Sequence, residues 1–190
     1  MKNFNLNTAN ADEWLTPPDI LSALGPFDLD PCAPVSRPWD MAARHYTVDD
    51  DGLSRPWEGR VWLNPPYGTH TFEWMARLAE HKQGIALIFA RTETRGFHSE
   101  IWNKAHSVFF FKGRLRFFRM DGSQAQGANA PSCLVSYSEV DTGTIKWAQS
   151  LGHILGRLCL LQREAMGGGM ADGSMHRRPA GQSMQCTGGT

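Results

Sequence analysis

The chain has 190 residues, is 41% hydrophobic and 20% charged, and carries no formal net charge. That length holds one domain with a sizeable core, and the composition is ordinary for a soluble globular protein. No apolar run approaches the roughly 20 residues of a membrane span, Met1 to Asn10 lacks the apolar centre of a signal peptide, and zero net charge confines any nucleic-acid contact to a local patch.

In chain order, Asp19 to Leu24 reads as a short helix after Pro17-Pro18. Phe27 to Asp30 reads as a strand, and His45 to Val48 as a second short one. Val61 to Leu63 is an apolar strand feeding a proline-rich loop. His70 to Lys82 carries Phe72, Met75, Ala76 and Ala79 at helical spacing. Gly84 to Ala90 is an apolar run of the buried, parallel-strand type. Gly96 to Ala105 predicts a helix, Val108 to Phe111 a strand, and Cys133 to Tyr137 another. Leu151, Ile154, Leu155 and Leu158 predict one face of an amphipathic helix over Thr144 to Arg163. The stretch between Asp30 and Asn64 barely fits a helix, a short strand and their loops.

Strands alternating with helices predict an α/β fold with a mostly parallel sheet in a three-layer sandwich. Residues 1–163 read as one domain. Residues 164–190, opening on Gly167-Gly168-Gly169, read as a disordered tail that cannot bury enough apolar surface to order itself. The cysteines Cys32, Cys133, Cys159 and Cys186 lack metal-ligand spacing, so buried thiols are expected and no metal. Cytoplasmic residence is the default.

Asn64-Pro65-Pro66-Tyr67 concentrates the chemistry. A tight loop at the end of a buried strand would present the side-chain carbonyl of Asn64 and the backbone carbonyl of Pro65. Proline adds no N–H to compete for them and holds its φ still. Two such acceptors can take both hydrogens of an amine on an aromatic ring, freeing its delocalised lone pair for attack on a methyl group. Tyr67 can stack on the base face, worth about 1–3 kcal/mol. A rigid turn with a capping aromatic is the plainer reading of the same four residues.

In open α/β sheets, ligands bind beyond the carboxyl ends of the strands. Asp30 at such an end can hold a ribose hydroxyl or an ammonium group; the alternative is a turn cap. Asp51, in the Asp49-Asp50-Asp51 cluster, is a second candidate acceptor for a ribose, against a solvated turn. Thr16 stands just before the first helix, where a hydroxyl and free N–H groups can meet a carboxylate. Lys112, Arg114, Arg116 and Arg119 carry positive charge without an acid until Asp121. Leu115 and Phe117 alternate with Arg114 and Arg116, giving one apolar and one basic face beside a polar loop over Asp121 to Asn129. That suits phosphate contact or a charge-protected edge strand. Arg91 and Arg95 lie at the same sheet end.

Five segments, in this order, resemble the phage-type DNA N6-adenine methyltransferases (Dam-like) over roughly residues 12–140. They are Glu13-Trp14-Leu15-Thr16-Pro17, Leu29-Asp30-Pro31-Cys32-Ala33, Asn64-Pro65-Pro66-Tyr67, Arg91-Thr92-Glu93-Thr94 and Gly113-Arg114-Leu115-Arg116-Phe117. The resemblance implies a Rossmann-like class I methyltransferase fold, S-adenosyl-L-methionine as donor, double-stranded DNA as partner and a phage or prophage source in a bacterial host. It puts Thr16, Pro17, Asp30 and Cys32 in the donor site and Asn64, Pro65, Pro66 and Tyr67 in the catalytic loop. Pro31-Cys32-Ala33-Pro34 departs from the glycine-rich loop that usually follows the first strand of such enzymes. A cytosine-type cysteine nucleophile at Cys32 is rejected, because amine methylation needs no covalent intermediate. Two rivals stay open: a protein glutamine N5-methyltransferase, and a non-catalytic domain that binds nucleic acid.

Overall fold

The computed structural model describes residues 14–68 and 70–161 and, for backbone alone, 184–187. The fold is built on an eight-stranded sheet with strands β1 (Leu29–Asp30), β2 (Arg44–His45), β3 (Val61–Leu63), β4 (Gly84–Phe89), β5 (Ser107–Phe111), β8 (Ser132–Ser136), β9 (Gly156–Leu161) and β10 (Met184–Thr187), in the order β10-β9-β5-β8-β4-β3-β1-β2. A separate hairpin, β6 (Arg116–Phe118) and β7 (Gln124–Gly127), is inserted between β5 and β8. The α/β class is as expected. The sheet is mixed: β2-β1-β3-β4 is parallel, whereas β4-β8-β5-β9-β10 is antiparallel. β4 therefore has a parallel neighbour on one side only.

Side chains alternate across the sheet, and each face has its own core. Trp62, Ile85, Leu87, Phe109 and Leu134 pack with Leu21 and Leu24 of helix α1 (Pro18–Leu24) and Ile145 and Ala148 of α4 (Glu139–Ser150). Val61, Leu63, Ala86, Ile88 and Val135 pack with Met75 and Leu78 of α2 (Thr71–His81) and with Phe97 and Ile101. The latter two sit on α3 (Arg95–Phe97) and the π-helical turn His98–Trp102 that continues it, in place of the single helix expected from Gly96 to Ala105.

Two further expectations are corrected. No helix lies between β1 and β3; the chain reaches β2 through turns and bends alone. The helix expected over Thr144 to Arg163 is a shorter, earlier helix followed by a strand. Ser138 caps α4, its hydroxyl accepting from Asp141 N at 3.1 Å, and Glu139 and Asp141 supply the acidic first turn that suits a helix N-terminus. The chain leaves the helix through Gly152, whose φ of +75° a side chain would resist. Leu158, read as helical, is a buried strand residue, and Leu155 is exposed. Of the expected tail, 164–183 and 188–190 lie outside the described residues, and the backbone of 184–187 pairs antiparallel with β9. The Cys186 side chain also lies outside them.

The two ends of the sheet differ in character. At the foot, Arg60 Nε donates to Asp141 Oδ1 at 2.7 Å, and its guanidinium also bonds the Leu24 and Pro26 carbonyls and covers the Phe27 ring. Asp141 accepts in addition from Gly84 N at 2.8 Å and from the Ser138 hydroxyl at 2.7 Å. A buried carboxylate is tolerated there because three donors converge on it. At the opposite end, β1, β3, β4 and β5 all finish, since β4 and β5 both run antiparallel to β8. Functional groups collect at this second end, the mouth.

Candidate active site

At the mouth, a cavity of about 490 Å³ opens between the loops after β1 and β3. Asp30, Pro31, Cys32, Ala33 and Pro34 form one wall, and Asn64, Pro65, Pro66 and Tyr67 another. Trp14, Val35, Met41, Thr47, Val48, Asp51, Gly52 and Trp74 complete the lining. The sheet thus brings two sequence-distant motifs to one opening. Thr16 and Pro17 do not line it: both are buried at the entry to α1, and the Thr16 hydroxyl has no hydrogen-bond partner.

Asn64 is held from two sides. Its amide nitrogen donates to the Trp14 carbonyl at 2.8 Å. A carbonyl can only accept, so this contact fixes which edge of the amide faces Trp14 and turns Oδ1 the other way. The Tyr67 hydroxyl lies 3.4 Å from Oδ1, a long contact that a better donor can displace. The backbone carbonyl of Asn64 accepts from the Cys32 thiol at 3.4 Å. Pro65 is buried and Pro66 exposed, with the Pro66 carbonyl taken by Thr71 Oγ1 at 2.7 Å. Among the described residues, none donates to the Pro65 carbonyl. Two acceptors, Asn64 Oδ1 and Pro65 O, therefore stand on one loop without a strong bond of their own.

One face of Tyr67 is already covered. Its ring stacks on Phe89 at 3.9 Å and 10°, at the end of β4, so only the opposite face can take a planar ligand. Burial pushes the Tyr67 hydroxyl up, and it stays protonated.

Asp30 is 2% exposed, and one carboxylate oxygen accepts from Cys32 N at 3.1 Å. Burial pushes its pKa up to about 7, against the smaller pull of that N–H and of Arg37. Near neutrality it is poised between carboxylic acid and carboxylate. Burial, with the charge of Asp30, also drives the Cys32 thiol well up. A protonated thiol donating to Asn64 O is no nucleophile.

The β1 loop without glycines is accommodated by a glycine elsewhere. A Cβ on Gly52 would lie 1.8 Å from the Pro31 carbonyl, so only glycine lets the Asp49–Gly52 turn close against Pro31. Asp51, next to it, is exposed, has φ of +51° and accepts from the Ser54 hydroxyl. The β1 loop is pinned by Tyr46, whose N–H donates to Asp30 O and whose carbonyl accepts from Ala33 N.

The six basic residues Arg91, Arg95, Lys112, Arg114, Arg116 and Arg119 are all exposed. None lines the cavity. Arg91 and Arg95 follow β4 and Lys112 follows β5, at the mouth end; Arg116 stands on β6. The alternation read from 114–117 is real, with Arg114 and Arg116 exposed and Phe117 buried. The polar stretch 121–129 is loop at both ends, with β7 (Gln124–Gly127) inside it.

Sequence reasoning missed Trp14, Trp74, Val48 and Phe89. Trp14 acts here through its backbone, which no residue type announces; Trp74 falls on the apolar face of α2, where a periodic core is the ordinary reading. Among the described residues, no group of three or more His, Cys, Asp or Glu could hold a metal ion, and no helix is long and apolar enough to cross a membrane.

No curated protein and no solved structure matches the chain. A family model described as DNA N-6-adenine-methyltransferase (Dam) matches residues 3–149. A loop offering paired acceptors for an amine, beside a cavity holding a buried acid, agrees with that match. The chain belongs to the DNA N-6-adenine-methyltransferase (Dam) family and is an enzyme that methylates N6 of adenine in DNA.

Proposed function

We propose that the cavity at the mouth takes S-adenosyl-L-methionine and a flipped adenine side by side, with Asn64-Pro65-Pro66-Tyr67 acting on the adenine. The observation that carries this reading is the Asn64 amide, pinned through its nitrogen to the Trp14 carbonyl beside a cavity that also contains Asp30. The residues fit the donor. Asp30 offers a buried acceptor for its hydroxyl or ammonium groups, Trp14, Val48 and Trp74 offer apolar surface for its adenosine part, and the cavity of about 490 Å³ falls within the range of small-molecule sites. Asp51 extends the acceptor set at the rim; Thr16 and Pro17 act at second hand, by setting the path of the chain into α1.

When bound, the donor supplies an electrophilic sulfonium methyl group. The protein's own part is positioning. Asn64 Oδ1 and Pro65 O accept the two hydrogens of the adenine amine and draw its nitrogen toward tetrahedral geometry. Tyr67, backed by Phe89, carries the base on its open face. The loop is preorganised by Trp14, Cys32 and Thr71, so its acceptors need no rearrangement as positive charge develops on the nitrogen. The proton released afterwards passes to water, and no general base is assigned. Flipping the adenine costs a few kcal/mol, offset by phosphate contacts from Arg91, Arg95, Lys112, Arg114, Arg116 and Arg119.

The architecture is read as a Rossmann-like class I variant, a three-layer sandwich whose far sheet edge is antiparallel, and the methyltransferase domain is assigned to residues 1–163. A cytoplasmic setting in a bacterial host, with a phage or prophage source, goes with the phage-type motif set. The test is calorimetric titration with S-adenosyl-L-methionine, followed by nucleoside mass spectrometry of treated DNA. Binding that survives Asn64→Ala while N6-methyladenine formation falls supports the division of labour; loss of donor binding in that variant, or full retention of product, contradicts it.

A further inference from the structure

The β6–β7 hairpin and the Asn64 amide are joined by a short chain of contacts. β6 leaves the mouth after β5 through Lys112, Gly113 and Arg114, and β7 returns toward β8. Arg114, Arg116 and Arg119 are carried on this excursion and face solvent. At its inner side, β6 is bridged to Leu15: Phe118 N donates to Leu15 O at 3.0 Å and Leu15 N donates to Phe118 O at 2.9 Å. Both bridging groups of Phe118 are used on Leu15, outside the β6–β7 ladder. The Phe118 ring is seated edge-on against Trp39 at 5.3 Å. The residue next to Leu15 is Trp14, whose carbonyl accepts from the Asn64 amide. Leu15 itself is fully buried, so this segment cannot shift alone.

We propose that Phe118 and Leu15 are positioning residues for the methyl-transfer step: the hairpin, through the Leu15–Phe118 bridge, sets the Trp14 carbonyl that orients Asn64. A peptide unit is planar and stiff, so a displacement of Leu15 N is passed directly to Trp14 O, which belongs to the same peptide group. A hydrogen bond weakens steeply with length and angle, and small misplacements of a positioning group are costly in rate. The arrangement makes acceptor presentation depend on how the basic hairpin is seated. DNA held by Arg114, Arg116 and Arg119 presses on the element that aligns the amide. The hairpin is attached at Gly113, which has φ of +82° and no neighbour within 4 Å of an added Cβ; the bridge, the Trp39 contact and the buried Phe117 and Ala125 seat it on the core.

This inference rests on the proposed role of Asn64, and a double-mutant cycle separates the two. Turnover of an adenine-containing duplex is measured with tritiated S-adenosyl-L-methionine, under single-turnover conditions for slow variants. The set is the full chain, Phe118→Ala, Asn64→Ala and the double variant. The expected result is a fall in kcat of about tenfold for Phe118→Ala, with KM for DNA and donor affinity changed less than about twofold, and with Phe118→Leu intermediate. In the Asn64→Ala background the same change should have less than about twofold effect, because the group it positions is gone. If Phe118→Ala does not fold, Phe118→Leu, which keeps an apolar side chain on Trp39, is carried through the same cycle. Additive losses, or a change confined to KM for DNA, overturn the positioning role while leaving Asn64 in place. Unchanged turnover in Asn64→Ala alone instead refutes the assignment of Asn64.

Discussion

Asp30→Asn probes the donor side of the cavity. The carboxyl is 2% exposed, and burial raises its pKa from 3.8 to about 7. If the ionised form is what accepts from the donor, affinity follows the carboxylate fraction, roughly a tenth at pH 6 and nine tenths at pH 8. Affinity should then rise about tenfold over that interval, near 1.4 kcal/mol, and level off above it. Asparagine keeps the shape and cannot ionise, so the variant should show a flat profile and weaker binding at pH 8. The same shift has a consequence for the protein without donor. A group whose folded pKa is raised binds more protons when folded, so stability is fully present below pH 3.8 and declines as pH rises toward 7. The decline is on the order of 4 kcal/mol, and Asp30→Asn should remove it. Isothermal titration with donor at pH 6, 7 and 8, paired with urea unfolding, measures both. A pH slope in donor affinity that persists in Asp30→Asn would refute the reasoning.

Asn64→Ala should lower turnover by about a hundredfold with donor affinity retained, read by single-turnover methylation and calorimetry. Arg114→Ala should weaken duplex binding and reduce the slope of log affinity against log salt by about one; fluorescence anisotropy across a salt series reads this, and an unaltered slope moves the contact elsewhere. Asp141→Ala should cost about 3 kcal/mol in urea unfolding, because it strands Arg60, Gly84 N and the Ser138 hydroxyl together, while kcat at a permissive temperature stays near that of the unaltered enzyme.

What could be read from the chain was what local pattern encodes. Val61–Leu63 and Gly84–Phe89 are short apolar runs with turn residues on both sides, and both are strands. The Asn64 loop and Asp30 could be read as strand-end residues, and both line the same cavity. Family membership removes the rival readings of protein amide methylation and of a non-catalytic domain. The region from 144 onward misled because Leu151, Ile154, Leu155 and Leu158 satisfy helical spacing although the chain turns at Gly152; the Ser138-to-Asp141 cap and the glycine were the overlooked signals. Asp121-Gly122 is a hairpin signal that was subsumed into a polar loop. The direction of β5, β8 and β9 depends on pairing between distant segments, and no periodicity reports it. The Trp14 carbonyl is a backbone group reaching Asn64 across 50 positions, and nothing in side-chain identity foretells such a contact.

The polar clasp of Arg60, Asp141 and Gly84 sits at the start of β4, whereas Phe89 under Tyr67 sits at its end. They are the two ends of a six-residue strand, a span near 17 Å, far enough for free-energy changes at the two ends to add independently. A substitution that weakens the Tyr67–Phe89 end can therefore be offset by an unrelated gain of stability at the Arg60–Asp141 end. The fold thus keeps its reserve of stability at one pole and its reacting groups at the other.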